Sequence, residues 1–279
     1  MISKYVICEG REIHYTEWGA GNEETLIAWH GLARTGRDMD DIAAHLAPRY
    51  RVICPDTIGR GLSQWSLQPE KEYCLEFYAG LAVSLADRLG LEHFHWLGTS
   101  MGGALGIKLA AGAFKGRIRR LVLNDIGPKL GDAAVERIRS YAGSPPQFER
   151  VSELEAYFRT VYKPFGRLSD EQWRRLTETS LRRLPDGRLT PHYDPNMVQQ
   201  FVHHPRDYDQ WEAWDAIDVP TLCLRGEDSD LLLADTAEEM RQRGPRAVVV
   251  TIAGCGHAPA LNVPDQFALV ERFLGGGKT

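Results

Sequence analysis

No apolar stretch in this chain approaches the roughly 20 residues that a membrane span requires. Residues 1–15 carry charges throughout, so the apolar core of a secretory signal is not expected there. Basic residues are not in excess: 33 Lys and Arg stand against 38 Asp and Glu, a formal net charge of −5. A nucleic-acid or membrane-surface partner would need a basic patch, so neither is expected. Cysteine is sparse. The five residues Cys8, Cys54, Cys74, Cys223 and Cys255 are odd in number and contain no C-x-x-C pair. That disfavours a disulfide framework and a zinc site, and it points to a reducing, cytoplasmic compartment. Low-complexity tracts and internal repeats are missing too. What remains is an ordinary globular composition over 279 residues, 43% hydrophobic and 25% charged, long enough for one large domain or two small ones.

In the first half, short β-branched runs alternate with longer amphipathic ones. Segments 4–8, 11–18, 25–29, 51–55, 93–98 and 120–124 read as strands; 40–46, 73–89 and 102–111 read as helices. This alternation predicts an α/β fold, a mostly parallel sheet with helices on both faces. Only Glu9 and Gly10 separate the first two strands, which predicts an antiparallel hairpin at the leading edge. After Pro128 the strand signal stops. Segments 133–142, 151–161, 170–183 and 196–201 read as helices, and strands resume at 220–224 and 247–252 before a closing helix over 265–274. The expected organisation is a core of residues 1–128 and 217–279 interrupted by an all-helical insert, 129–216. The insert's 88 residues hold 12 aromatics, suited to burying one helix face and lining an apolar pocket.

The sharpest chemical signal is Gly98-Thr99-Ser100-Met101-Gly102-Gly103 between a strand and a helix. So sharp a turn forces its middle residue into a strained conformation and needs neighbours without a Cβ, which glycine supplies. Ser100 is thereby raised at the carboxyl end of the sheet, beside a helix N-terminus able to stabilise an oxyanion. A serine hydroxyl needs a base. Among nine histidines, His257 alone follows the last predicted strand, in Gly256-His257-Ala258. The base in turn needs an orienting carboxylate. Strand 221–224 runs into Arg225-Gly226-Glu227-Asp228-Ser229-Asp230, where Asp230 is the expected acid and Asp228 the alternative. The terminal Gly275-Gly276-Gly277-Lys278-Thr279 does not make a phosphate loop, since the required first glycine is Arg272.

Together these residues resemble those of lidded α/β hydrolases. His30-Gly31-Leu32-Ala33 is similar to the superfamily's oxyanion loop, and Asp56-Thr57-Ile58-Gly59-Arg60-Gly61-Leu62-Ser63 to its D-x-x-G-x-G-x-S turn. The resemblance implies an eight-stranded sheet with a helical cap. It implies a Ser100–His257–Asp230 triad, and an oxyanion hole made by the amides of Leu32 and Met101. No metal or cofactor is called for, and His30 and Asp56 read as structural. One departure stands out: the usual G-x-x-D places Ser229 where the acid is expected. The reaction so implied is hydrolysis of small to medium carboxylic esters, with lactones open to the same chemistry. Carbon–carbon hydrolases of ring-cleavage products share the S-x-G-G stretch, but usually carry Asn and Trp where this chain has Thr99 and Ala258. The insert's 11 arginines face 14 acidic residues and read mostly as solvated. A non-catalytic receptor on the same fold is disfavoured by the full set of motifs.

Overall fold

The computed structural model describes residues 1–277; Lys278 and Thr279, the end of the glycine-rich tail, lie outside the described residues. Among the described residues ten strands are formed: β1 (Ile2–Cys8), β2 (Arg11–Trp18), β3 (Thr25–Trp29), β4 (Arg51–Pro55), β5 (Phe94–Thr99), β6 (Ile118–Asn124), β7 (Leu181–Arg183), β8 (Leu189–Pro191), β9 (Thr221–Gly226) and β10 (Val248–Ile252). Eight build one sheet in the order β1-β2-β4-β3-β5-β6-β9-β10, in which β2 alone runs antiparallel to its neighbours. The expected mostly parallel α/β sheet is therefore present. Its leading hairpin turns through Glu9 and Gly10, both at positive φ (48° and 71°), the conformation a two-residue turn needs to match strand twist.

The helices are α1 (Asp40–Leu46), α2 (Pro69–Glu72), α3 (Leu75–Arg88), α4 (Met101–Ala111), α5 (Asp132–Ala142), α6 (Val151–Val161), α7 (Asp170–Thr179), α8 (Gln199–His203), α9 (Trp211–Asp215), α10 (Ala234–Gln242) and α11 (Pro264–Leu274). Buried side chains fall into two layers on opposite faces of the sheet. One unites the inward residues of α3 and α4 with Ile27, Trp29, Trp96 and Leu121; the other unites α1 and α11 with Leu26, Ala28, Val122 and Leu222. Successive strand residues thus feed opposite faces, as the pleat requires, so central strands read as continuous apolar runs. Among the described residues no helix is long and apolar enough to cross a membrane.

Two departures from the sequence expectation have local causes. The helix expected over 73–89 begins at Leu75, because Cys74 takes an extended conformation (φ −157°, ψ 159°) and its Sγ accepts the Phe77 amide as a cap. The helix expected over 170–183 stops at Thr179, and β7 and β8 form an antiparallel ribbon across Leu184-Pro185-Asp186-Gly187-Arg188. Segment 129–216 is thus not helical throughout. A third buried cluster of its own (Leu154, Phe158, Tyr162, Trp173, Leu176 and Leu189) packs α6, α7 and β8 together.

Candidate active site

The site grows from the bend between β5 and α4. Ser100 sits at φ 53° and ψ −117°, a backbone region costing of order 1–3 kcal/mol for a residue with a Cβ. The neighbours show why glycine is required. A Cβ on Gly98 would stand 2.2 Å from the Gly102 carbonyl oxygen, and one on Gly102 2.3 Å from that of Trp29. The bend is tied to the next strand by the Ser100 amide, which donates to the Asn124 carbonyl at 3.0 Å. Met101 opens α4, so its N–H is among those without an intrahelical acceptor. The loop after β3 presses on the same point: a Cβ on Gly31 would lie 3.5 Å from that of Ser100. Leu32, next in that loop, and Ser100 line one cleft.

His257 arrives on the loop between β10 and α11. Its Nε2 lies 2.9 Å from Ser100 Oγ. The two residues expected to meet are brought together. On its other side, Nδ1 lies 2.6 Å from Oδ2 of Asp125. With Nδ1–H donating to this carboxylate, Nε2 is left free to accept the serine proton.

Asp230, the expected acid, is corrected here. It lies on the exposed loop beyond β9 and receives a bidentate pair from Arg137 of α5 (Nε 3.0 Å, Nη2 2.9 Å). Asp228 is exposed as well, its amide bonded to the Cys255 carbonyl at 2.9 Å. The carboxylate at His257 instead comes from the residue directly after β6. Asp125 is fully buried at φ 55°, a left-handed conformation that Asp tolerates better than most residues. Three donors hold its side chain: the Gly226 amide to Oδ1 (2.7 Å), and Ser229 Oγ (2.6 Å) and His257 to Oδ2. Ser229 stands where the G-x-x-D pattern places an acid. Its hydroxyl grips the Asp125 carboxylate and accepts the amides of Leu231 (3.3 Å) and Leu232 (3.1 Å). One signal could have found Asp125: Ser229 leaves the usual acid position without a carboxylate.

The surrounding turns are buried scaffolding. His30 Nδ1–H donates to the Gly31 carbonyl (2.6 Å), while Nε2 accepts the Thr57 amide (2.9 Å). Complete burial pushes its pKa down to about 4, so it is neutral near pH 7. Asp56 Oδ1 accepts the Gly36 amide (2.6 Å); Oδ2 takes the Leu62 amide (2.9 Å) and His14 Nδ1 (2.7 Å). Burial alone would raise its pKa, but these donors and nearby His30 outweigh it and hold the group below the usual carboxylate range.

Above the triad geometry lies a cleft enclosing about 1130 Å³ of empty space, its open mouth included. Its far wall comes from segment 129–216: Ile138, Tyr162, Phe165, Leu168 and Leu176. Tyr162 and Phe165 stack at 4.9 Å between centroids, while Phe158 and Trp173 serve the packing of the segment itself. Four arginines also line the cleft, each paired with an aspartate: Arg34 with Asp38, Arg37 with Asp40, Arg137 with Asp230 and Arg175 with Asp41. The cleft therefore combines an apolar wall with paired charges.

The sequence profile described as the Alpha/beta hydrolase family matches residues 26–269. The chain is 42% identical to a 3-hydroxybutyrate-oligomer hydrolase of Cupriavidus necator, over 94% of this chain and 92% of that one. It is 27% identical to a 2-hydroxy-6-oxo-2,4-heptadienoate hydrolase of Pseudomonas putida, over 98% and 96%. Among solved structures, an alpha/beta hydrolase from Novosphingobium aromaticivorans superposes with a TM-score of 0.87 at 33% identity, over 98% of each chain.

Proposed function

The chain belongs to the alpha/beta hydrolase family, and from that premise we propose that it is a serine esterase working through Ser100, His257 and Asp125. The observation that carries the reading is the unbroken chain of contacts Ser100 Oγ–His257 Nε2–Asp125 Oδ2, at 2.9 and 2.6 Å. His257 takes the Ser100 proton as the oxygen attacks the ester carbonyl carbon, and the imidazolium formed is stabilised by Asp125. The carbonyl oxygen becomes an oxyanion and receives the amides of Leu32 and Met101. Collapse expels the alcohol, which takes the proton from His257. A water, deprotonated by the same base, then releases the acid from Ser100.

Segment 129–216 acts in this reading as a cap whose apolar wall receives the acyl chain. The substrate is a small to medium ester. Short oligomers of a hydroxy acid, whose units are joined through ester bonds, fit the name carried by the 42%-identical relative. A second reading, carbon–carbon hydrolysis of ring-cleavage products, draws support from the Pseudomonas putida relative. Thr99 and Ala258, where such enzymes usually carry Asn and Trp, count against it. A panel of p-nitrophenyl esters, 3-hydroxybutyrate dimers and trimers, a lactone and a ring-cleavage dienone separates the readings. Ester turnover that disappears in Ser100→Ala supports the proposal. Turnover of the dienone alone overturns it in favour of the second reading.

A further inference from the structure

Arg60 is an anomaly of the fold. It is a completely buried guanidinium, and among the described residues no carboxylate lies within 4 Å of it. Burying a cation without a counter-ion is costly, and an apolar side chain of similar volume is often the more stabilising occupant. Its surroundings suggest what the charge is for. Gly59 (φ 77°) and Gly61 (φ 51°) fold the chain sharply on either side, so Arg60 enters the interior beneath the catalytic loops. Nε–H donates to the Leu32 carbonyl at 2.8 Å. Nη1–H donates to the Ile58 carbonyl (2.7 Å) and the Tyr78 hydroxyl (3.0 Å). Nη2 meets Met101 Sδ at 3.8 Å. The guanidinium lies 5.3 Å from the ring centroids of Tyr73 and Tyr78, cation–π contacts that recover part of the lost hydration.

Arg60 therefore touches both residues whose amides form the oxyanion hole under the proposed function, and it is fully buried outside the lining of the cleft. We infer that Arg60 is the positioning residue of the oxyanion hole: it anchors Leu32 through its carbonyl and Met101 through its side chain. Its unneutralised charge also favours the negative charge that develops on the substrate oxygen. A neutral donor could make one of these bonds; the planar fork makes three at once and carries the field as well.

The inference rests on the proposed function, and its test keeps the two apart. Arg60→Met and Arg60→Lys are compared with wild type for melting temperature, kcat and KM. Two inhibitors are titrated: a trifluoromethyl ketone, and the matching methyl ketone as a ground-state ligand. The fluorinated ketone bonds to Ser100 Oγ, passes the serine proton to His257 and leaves its own oxygen as the anion. Arg60→Met is expected to melt within a few degrees of wild type and lose at least about 10-fold in kcat with little change in KM, less than removal of a direct donor. Affinity for the fluorinated ketone falls in parallel while the methyl ketone is unaffected, and Arg60→Lys recovers part of both losses. Wild-type kcat in Arg60→Met overturns the inference, as does equal weakening of both ketones. Failure of both variants to fold also overturns it, because it assigns Arg60 to folding alone. Absence of Ser100-dependent ester turnover in the wild type instead overturns the proposed function.

Discussion

Replacing Asp125 by Asn changes one atom, and the local hydrogen bonding dictates the consequence. The carboxylate accepts from Gly226 N–H on Oδ1, and from Ser229 and His257 on Oδ2. An amide can present its oxygen to only one side. If the oxygen faces His257, the NH2 group faces the Gly226 N–H. Two buried donors then collide, at a cost of about 1–3 kcal/mol for the unsatisfied groups. If the amide flips, its NH2 faces His257 Nδ1 and the Ser229 hydroxyl rotates to accept. The second arrangement has the better hydrogen bonds, and it requires Nδ1 to be an acceptor. The imidazole proton then sits on Nε2, pointing at Ser100, and the base is lost. The analogous loss of the correct tautomer in serine proteases costs about 10⁴ in kcat. We expect a fall of about 10³–10⁴, equivalent to about 4–5.5 kcal/mol of barrier, with KM and melting temperature little changed. Asp230→Asn removes an exposed pair with Arg137, a contact worth about 0–1 kcal/mol, and should leave kcat within about threefold. The assay is steady-state hydrolysis of p-nitrophenyl butyrate by both variants. An Asp125→Asn enzyme within 10-fold of wild type, beside a crippled Asp230→Asn or Asp228→Asn enzyme, would refute the reasoning.

Other changes test the same framework. Gly98→Ala drives a Cβ to 2.2 Å from a backbone carbonyl; thermal melts should show a loss of about 3 kcal/mol or more, about 6–12 °C for a chain of this size. Ser229→Ala removes a donor to the Asp125 carboxylate; kcat should fall about 10-fold with little change in KM, and an unchanged kcat sinks the assignment. His30 is buried neutral with its pKa pushed to about 4. Between about pH 6.5 and 4 the unfolded chain binds a proton that the folded chain refuses. Stability is lost as pH falls through that window, by up to about 3 kcal/mol, and chemical denaturation of His30→Gln should show a correspondingly flatter pH dependence. In Ser100→Ala, peptide mapping after organophosphonate treatment should find no adduct at all, Ser3 included.

How far the site could be read from sequence depends on how local each signal was. The elbow is a six-residue pattern whose glycines answer to immediate clashes, so Ser100 was legible without any knowledge of the fold. His257 needed only chain order and a glycine-flanked loop. Asp125 is different. What qualifies it is that β6 pairs with β5, which sets the residue after one strand near Ser100 at the end of the other. A strand neighbour is a three-dimensional fact, and in sequence the dipeptide Asn124-Asp125 looks like any strand terminus. The ribbon of β7 and β8 escapes a sequence reading for another reason. Leu184-Pro185-Asp186-Gly187 carries a plain turn signal, but the amphipathic pattern of α7 runs on past Thr179 to Arg183 and masks the strand before it. Arg60 illustrates the hardest class. Arginine in a glycine-rich turn reads as a solvated surface residue; only the packing reveals that it is buried.

A second constellation in the molecule sharpens what makes the first one a candidate for catalysis. Ser3 Oγ lies 2.8 Å from His14 Nε2, and His14 Nδ1 lies 2.7 Å from Asp56 Oδ2. The connectivity and distances match those of Ser100, His257 and Asp125. Yet Ser3 stands within β1, in an extended ladder opposite Thr16, with its backbone committed to β2 rather than poised on a strained bend. Behind Ser100 begins an eleven-residue helix whose first amides are free; behind Ser3 the chain continues as a strand, whose dipoles alternate and cancel. The two acids differ as well. Asp56 also fastens the turns at Gly36 and Leu62, so it is explained as the anchor of two loops, whereas Asp125 ends a strand that delivers it to His257. A hydroxyl–imidazole–carboxylate chain supplies only a base. Acyl transfer also needs an anion site facing the attacked carbonyl, and of the two serines it is Ser100 alone that stands at the start of a helix with free amides.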